Sequence, residues 1–112
     1  MKKLLLILLC LPMIGFGQKT YVPDDYFEQI LINKGYDNVL DDSVTTLNIN
    51  TVTTLVLLTG YNISDLTGIE EFTNLTTLWC YSNILTSLDL SNNLALTELR
   101  CDHNHLFIFP YI

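Results

Sequence analysis

Two short stretches of this chain hold the side chains best suited to recognition chemistry. Thr77, Trp79 and Tyr81 alternate along one, and 21 residues later Glu98, Arg100 and Asp102 alternate along the other. In an extended segment, alternate residues share a face, so each trio presents one row, and the common spacing sets the two rows side by side. Trp, Tyr and Arg are the residue types that most often anchor interfaces. An aromatic pair beside a mixed charge row can hold a protein segment or stack on a sugar ring. The competing reading is that Trp79 only packs its ring along neighbouring side chains. Residue types alone do not choose the ligand.

Other clusters offer less. Cys101-Asp-His-Asn-His105 carries thiolate, carboxylate and imidazole groups, all of them zinc ligands. Alternation turns Cys101 and Asn104 inward and leaves Asp102, His103 and His105 on the strand surface or turn, so His103 and His105 alone are two ligands short of a site. The stretch from Asp37 through Asp41 and Asp42 has the acidity of a calcium loop, but Val39 stands at the third ligand position and no glycine makes the central bend. It reads as a solvated loop capping the first strand. No serine sits in a nucleophile elbow, no glycine-rich loop cradles a phosphate, and no two carboxylates fall where they would flank one bond. The expectation is a non-enzymatic protein with neither cofactor nor metal. The sequons at Asn62 and Asn74 read as turn chemistry, relevant to glycosylation only in a host that modifies such sites.

The elements that must position the two rows are legible as an internal repeat. Laid over itself at an offset of 21, the chain matches Leu75 to Leu96, Leu78 to Leu99, Cys80 to Cys101, Asn83 to Asn104, Leu85 to Leu106 and Leu88 to Phe109. The pattern L-x-x-L-x-C-x-x-N-x-L is the leucine-rich-repeat signature, a short strand followed by an asparagine corner and an irregular return. Leu78 and Cys80 are expected to point into the coil and Trp79 and Tyr81 out of it. Asn83 and Asn104 would satisfy backbone groups at the corners. Cys80 and Cys101 stack on adjacent strands about 4.8 Å apart; parallel side-chain vectors disfavour a disulfide, and small apolar fillers are the simpler reading.

A looser copy precedes these. A framework of Val56, Leu58, Tyr61, Ile63 and Leu66 repeats at 22, whereas Leu55 and Leu57 as the strand positions require 23 there and 22 afterwards. The segments beginning at Val44 and Val52 recur at a spacing of only 8, too short for a coil, and the Val44 segment reads as a strand of a cap leading into the first repeat.

At the front, Lys2 and Lys3 precede an apolar run from Leu4 to Phe16 that ends in small residues, Gly15 and Gly17. This is the form of a secretory signal peptide cleaved after Gly17, and the run is too short to anchor comfortably in a bilayer. Acylation at Cys10 is the alternative, countered by bulky Leu9 before it. Loss of residues 1–17 removes Lys2 and Lys3 and takes the formal charge from −7 to −9, with Lys19, Lys34 and Arg100 as the remaining cations. Such a chain is a poor partner for nucleic acid or anionic lipid. In the segment from Thr20 to Gly35, Asp24 or Asp25 can cap a helix whose Phe27, Ile30 and Leu31 share one face, and Gly35 stops it. A helix there would cover the otherwise exposed apolar edge of a first coil.

The stretches Tyr21-VPDDYFEQILI, Asn62-ISDLTGIEEFTNLTTL and Leu85-TSLDLSNNLALTEL together resemble the N-terminal part of secreted bacterial leucine-rich-repeat proteins of internalin style. The resemblance covers about Tyr21 to Leu106. It implies an α/β fold, a right-handed parallel β solenoid of 21–22-residue units with an N-terminal helical cap, exported to the medium or cell surface. It also implies binding of protein or glycan on the concave, strand-lined face. The corresponding boundaries are a signal peptide at 1–17, a helical cap at 18–43 and repeats from 44 to 112, the last incomplete. Relatives continue for more repeats, and here Phe107 and Ile108 replace Thr86 and Ser87. The tail therefore reads as a makeshift cap, as an open edge for self-association, or as the end of a truncated solenoid. In the last case the chain is a structural N-terminal fragment with no ligand of its own.

Overall fold

A computed structural model of the chain describes residues 17–58, 60 and 62–107. The expected signal peptide (Gly17 excepted), Tyr61 and the tail from Ile108 onward lie outside the described residues. The elements follow in the order β1 (Lys19–Tyr21), α1 (Asp25–Asn33), β2 (Ser43–Thr45), β3 (Thr54–Val56), β4 (Thr77–Trp79) and β5 (Glu98–Arg100), with single 3-10 turns at Thr46–Asn48 and Ile69–Glu71.

The helix starts where its cap can serve it. One Asp24 carboxylate oxygen accepts the N–H groups of Tyr26 and Phe27 at 3.0 and 3.1 Å, satisfying donors that have no partner inside the helix. The other oxygen accepts from Ser64 N–H, Ser64 O–H and Asp65 N–H at 2.9 to 3.2 Å, so a single side chain both caps α1 and ties it to the first repeat. Phe27, Ile30 and Leu31 are buried, and the Phe27 ring stacks on Phe72 with centroids 6.2 Å apart. Helix and repeats share one apolar core.

The Val44 segment forms β2, but its partner is β1, in an antiparallel ribbon with Thr20 opposite Val44. It does not join the repeat sheet, because the 3-10 turn at Thr46–Asn48 redirects the chain before β3 begins. Thr20 and Thr46 close the ribbon with a buried hydroxyl–hydroxyl contact of 2.8 Å. Gly68 fixes how closely the ribbon approaches the first repeat. Its φ is +109°, and a Cβ there would lie 2.9 Å from the Tyr21 carbonyl oxygen and 2.8 Å from a Val22 methyl.

Strands β3, β4 and β5 run parallel in that order, with Leu55, Leu78 and Leu99 in register. This corrects the Val56–Leu58 framework: Leu55 and Leu57 are fully buried, while Val56 is half-buried and Leu58 is 52% exposed. Alternation cannot decide among four consecutive apolar residues; pairing with Leu78 does. The first strand step is therefore 23 residues, outside the 21–22 expected for the units, and the second is 21. Ile63 and Leu85, both buried, keep a 22-residue step, so the extra residue lies between Leu57 and Ile63.

The asparagine corners work as hydrogen-bond hubs. Asn83 accepts from Ile63 N–H at 3.1 Å and donates to the Cys80 carbonyl at 3.1 Å. Asn104 repeats this one coil later, accepting from Leu85 N–H at 2.9 Å and donating to the carbonyls of Cys80 and Cys101 at 2.9 and 3.1 Å. Each therefore stitches a coil to the one before it. These bonds replace water for groups that the narrow corner buries.

Candidate functional site

The strand face is built by the parallel ladder. Thr77 lies opposite Glu98 and Trp79 opposite Arg100. The ladder continues past the strand ends, where Ser82 N–H donates to the Asp102 carbonyl at 2.9 Å, bringing Tyr81 and Asp102 alongside. All six residues expected on this face are thus neighbours. Leu78 and Cys80, between them in sequence, are fully buried on the other side.

The face carries an organised stack. The Trp79 indole N–H donates to a Glu98 carboxylate oxygen at 2.6 Å. Arg100 lays its guanidinium carbon 4.2 Å from the Tyr81 ring centroid and 5.6 Å from that of Trp79, within cation–π range of both. The two rings are tilted, with centroids 6.4 Å apart. Arg100 also pairs with Asp102 at 3.3 Å, and His103 reaches the same carboxylate oxygen at 3.0 Å. The His103 contact first, with Arg100 adding, holds the Asp102 carboxyl below the ordinary carboxylate range. Each pair is exposed and contributes little alone. Together they fix rotamers that would otherwise be free, presenting two half-buried aromatic rings and a guanidinium already oriented toward solvent.

The cysteines lie behind this face as free thiols, Cys80 buried and Cys101 half-buried. Burial, and then the neighbouring Cys101, pushes the Cys80 thiol up to about 12. His103 occupies a left-handed corner at φ +56°, matching Ser82 at +58° one repeat earlier, and its ring engages Asp102. His105 is exposed, with its backbone N–H on the Leu85 carbonyl.

One functional-looking cluster joins the acidic stretch of Asp37 and Asp41 to a helix residue that the sequence reading missed, Glu28. Glu28 is fully buried on the core side of α1 and accepts the N–H groups of Asp41 and Asp42 at 3.2 and 2.9 Å. Carboxylate oxygens of Glu28, Asp37 and Asp41 lie within 4.8 Å of one another. Desolvation, followed by the Asp37 carboxyl, raises Glu28 to about 7, against the opposing pull of the two backbone N–H groups. The acidic loop is therefore folded around a helix carboxylate. The available signal was a glutamate beside Phe27 on an otherwise apolar stripe. A separate recess of about 340 Å³ lies between the return segments, lined by Asp65, Glu70 and Asp89 among others, and takes no residue from the strand face.

Parallel strands one repeat apart, an inward ladder of Leu and Cys, and asparagine hubs at the Asn83 and Asn104 corners make a leucine-rich-repeat, solenoid-like fold. Solved structures share that fold, internalins among them. An internalin (inlF) from Listeria monocytogenes matches 77% of this chain at 29% identity and a TM-score of 0.69. The functional domain of InlJ from the same organism, which includes a cysteine ladder, matches 88% at 27% identity and 0.56. The structure of the CBM51-2 and INT domains from Clostridium perfringens ZmpB matches 88% at 26% identity and 0.69. The chain spans only 25%, 27% and 20% of those three chains respectively. No protein-family model and no curated protein matches it.

Proposed function

We propose that this protein is an exported leucine-rich-repeat binding module that recognises a protein or glycan on its strand face through Trp79, Tyr81 and Arg100, with Thr77, Glu98 and Asp102 framing them. The observation that carries this reading is the stack itself: a guanidinium held over two aromatic rings, with the indole N–H fixed by Glu98. Orienting such groups before contact reduces the ordering cost of binding. Likeness to internalins supports export to the medium or cell surface, with residues 1–17 as the signal peptide, α1 as the cap of a right-handed coil and the stacked Cys80 and Cys101 as a short cysteine ladder.

Trp79 is the only tryptophan in the chain, so its fluorescence reports on this face directly. The chain is screened on a printed glycan array and against immobilised host surface proteins, and each hit is titrated by Trp79 emission. Trp79→Ala and Arg100→Ala should each abolish capture while thermal unfolding stays cooperative. Capture unchanged in both variants overturns the reading. The second reading, a structural N-terminal piece of a longer solenoid with no ligand of its own, rests on the chain's spanning at most 27% of the three structures compared. It predicts an empty screen.

A further inference from the structure

The outer edge of β5 has no partner strand among the described residues, and its chemistry is self-complementary. Glu98 N–H donates to the Thr76 carbonyl and the Arg100 carbonyl accepts from Cys80 N–H, so residues 98 and 100 turn their backbone groups toward β4. In a parallel ladder the residue between them turns its N–H and C=O the other way, which aims those of Leu99 at the open edge. The Leu99 side chain is 42% exposed, although Leu55 and Leu78, at the same position of the preceding strands, are fully buried. Open backbone groups beside an uncovered ladder leucine make a template for a further strand.

We propose that this edge docks a second copy of the chain, β5 against β5, antiparallel about a two-fold axis through Leu99. That register pairs Leu99 with the partner's Leu99, closing two backbone hydrogen bonds and burying both side chains. It also sets Glu98 against the partner's Arg100 and Arg100 against the partner's Glu98, two opposite-charge cross-strand pairs on the strand face. The charge order is what favours a second copy: a Glu–Leu–Arg edge complements itself only in the antiparallel sense, as an isologous contact requires. Asp102 and the Trp79 indole use only part of the hydrogen-bonding capacity of Arg100 and Glu98, since a guanidinium has five N–H donors and a carboxylate two oxygens. The product is one six-stranded sheet presenting two recognition stacks on the same side.

The test is solution mass by light scattering across a concentration series. The wild-type chain should move from monomer to dimer. Glu98→Arg makes the edge uniformly basic and Arg100→Glu makes it uniformly acidic; each alone should weaken dimerisation by more than about tenfold, because like charges then face each other twice. Mixing the two variants should restore a dimer containing one of each, and the double swap should restore the homodimer. If a charge variant fails to fold, Leu99→Cys gives a second arm. Paired residues bonded across an antiparallel ladder stand about 5.5 Å apart at Cα, within disulfide range, so oxidation should yield a covalent dimer beyond the wild-type background. A monomer at every concentration, a dimer indifferent to charge reversal, or no cross-link at position 99 overturns the proposal. Ligand binding is read separately through Trp79 emission, so failure of one does not mimic failure of the other.

Discussion

The first and last described coils of this solenoid are made of nearly the same residues and fare differently. At the first and second strands, Leu55 and Leu78 are fully buried, and Cys80, Asn83 and Leu85 follow them into the core. One repeat later, Leu99 is 42% exposed, and Cys101, Asn104 and Leu106 are only half-buried in the same roles. The sequence pattern is shared; the neighbour is not. The front has α1 and the β1–β2 ribbon packed against it, held by Asp24 and by the close approach at Gly68. Burial in a repeat protein is thus conferred by the next layer, and a coil's own pattern specifies only what it is able to bury.

The sharpest way to break this comparison is to truncate the same side chain in both places. Leu78→Ala should cost about 3 kcal/mol, since it opens a cavity between two coils that have little room to collapse. Leu99→Ala, measured at low chain concentration, should cost about 1 kcal/mol or less because solvent already reaches the site. Denaturant unfolding of the two variants checks this, and equal losses would mean that the β5 end is covered after all. The asparagine hubs give a smaller version. Asn83→Ala strands the buried Ile63 N–H, while the Cys80 carbonyl keeps its bond from Asn104, and should cost about 2 kcal/mol; truncating the half-buried Asn104 opens its corner so that water can take over the Leu85 N–H, and should cost roughly half as much.

How much of this was readable beforehand follows the same logic. The 21-residue offset exposed Leu78, Cys80, Asn83 and their repeats because each recurs in one role, and that offset alone set Trp79 beside Arg100. The first strand was ambiguous because Leu55 to Leu58 are all apolar and only β4 selects a register. Strand β1 left no local signal: three residues, Lys19 to Tyr21, become a strand because residues 22 to 26 positions away pair with them. The indole bond to Glu98 and the burial of Glu28 are side-chain choices that spacing cannot reach. Glu28 in particular sits beside Phe27, Ile30 and Leu31, and nothing in the spacing says that a carboxyl is buried with them.

That buried carboxyl makes the front end pH-sensitive. Glu28 holds its proton more tightly folded, at about 7, than its ordinary 4.5. The stability tied to that proton is fully present below the unfolded value and is lost as pH rises through about 7. Thermal midpoints should therefore fall by several degrees between pH 5 and 8. Asp37→Asn removes the carboxyl that, after desolvation, does most to raise Glu28, and supplies an amide donor in its place. The slope should flatten and the midpoint at pH 8 should rise. Differential scanning calorimetry across that range checks it, and an unaltered slope would place the pH dependence elsewhere. Asp102, at the β5 end, is shifted in the opposite direction and stays ionised across this window, so it adds no loss of this kind.

The smallest effect separates the two ends by reactivity instead of stability. Cys80 and Cys101 occupy one inward position of successive strands, yet among the described residues only Cys80 has a coil on both sides. Its thiol is pushed up to about 12, so almost no thiolate forms near neutral pH and no reagent path reaches it without opening the sheet. Cys101 faces the β5 edge. With Ellman's reagent at pH 8, adducts located by peptide mapping should appear at Cys101 in the folded chain and at Cys80 only as the chain unfolds. Raising the chain concentration should then slow Cys101 selectively if a second copy covers the β5 edge, since the added layer would give this coil what the first two already have. A Cys101 rate independent of concentration would leave the asymmetry between the ends intact, and would mean that the edge stays open in solution.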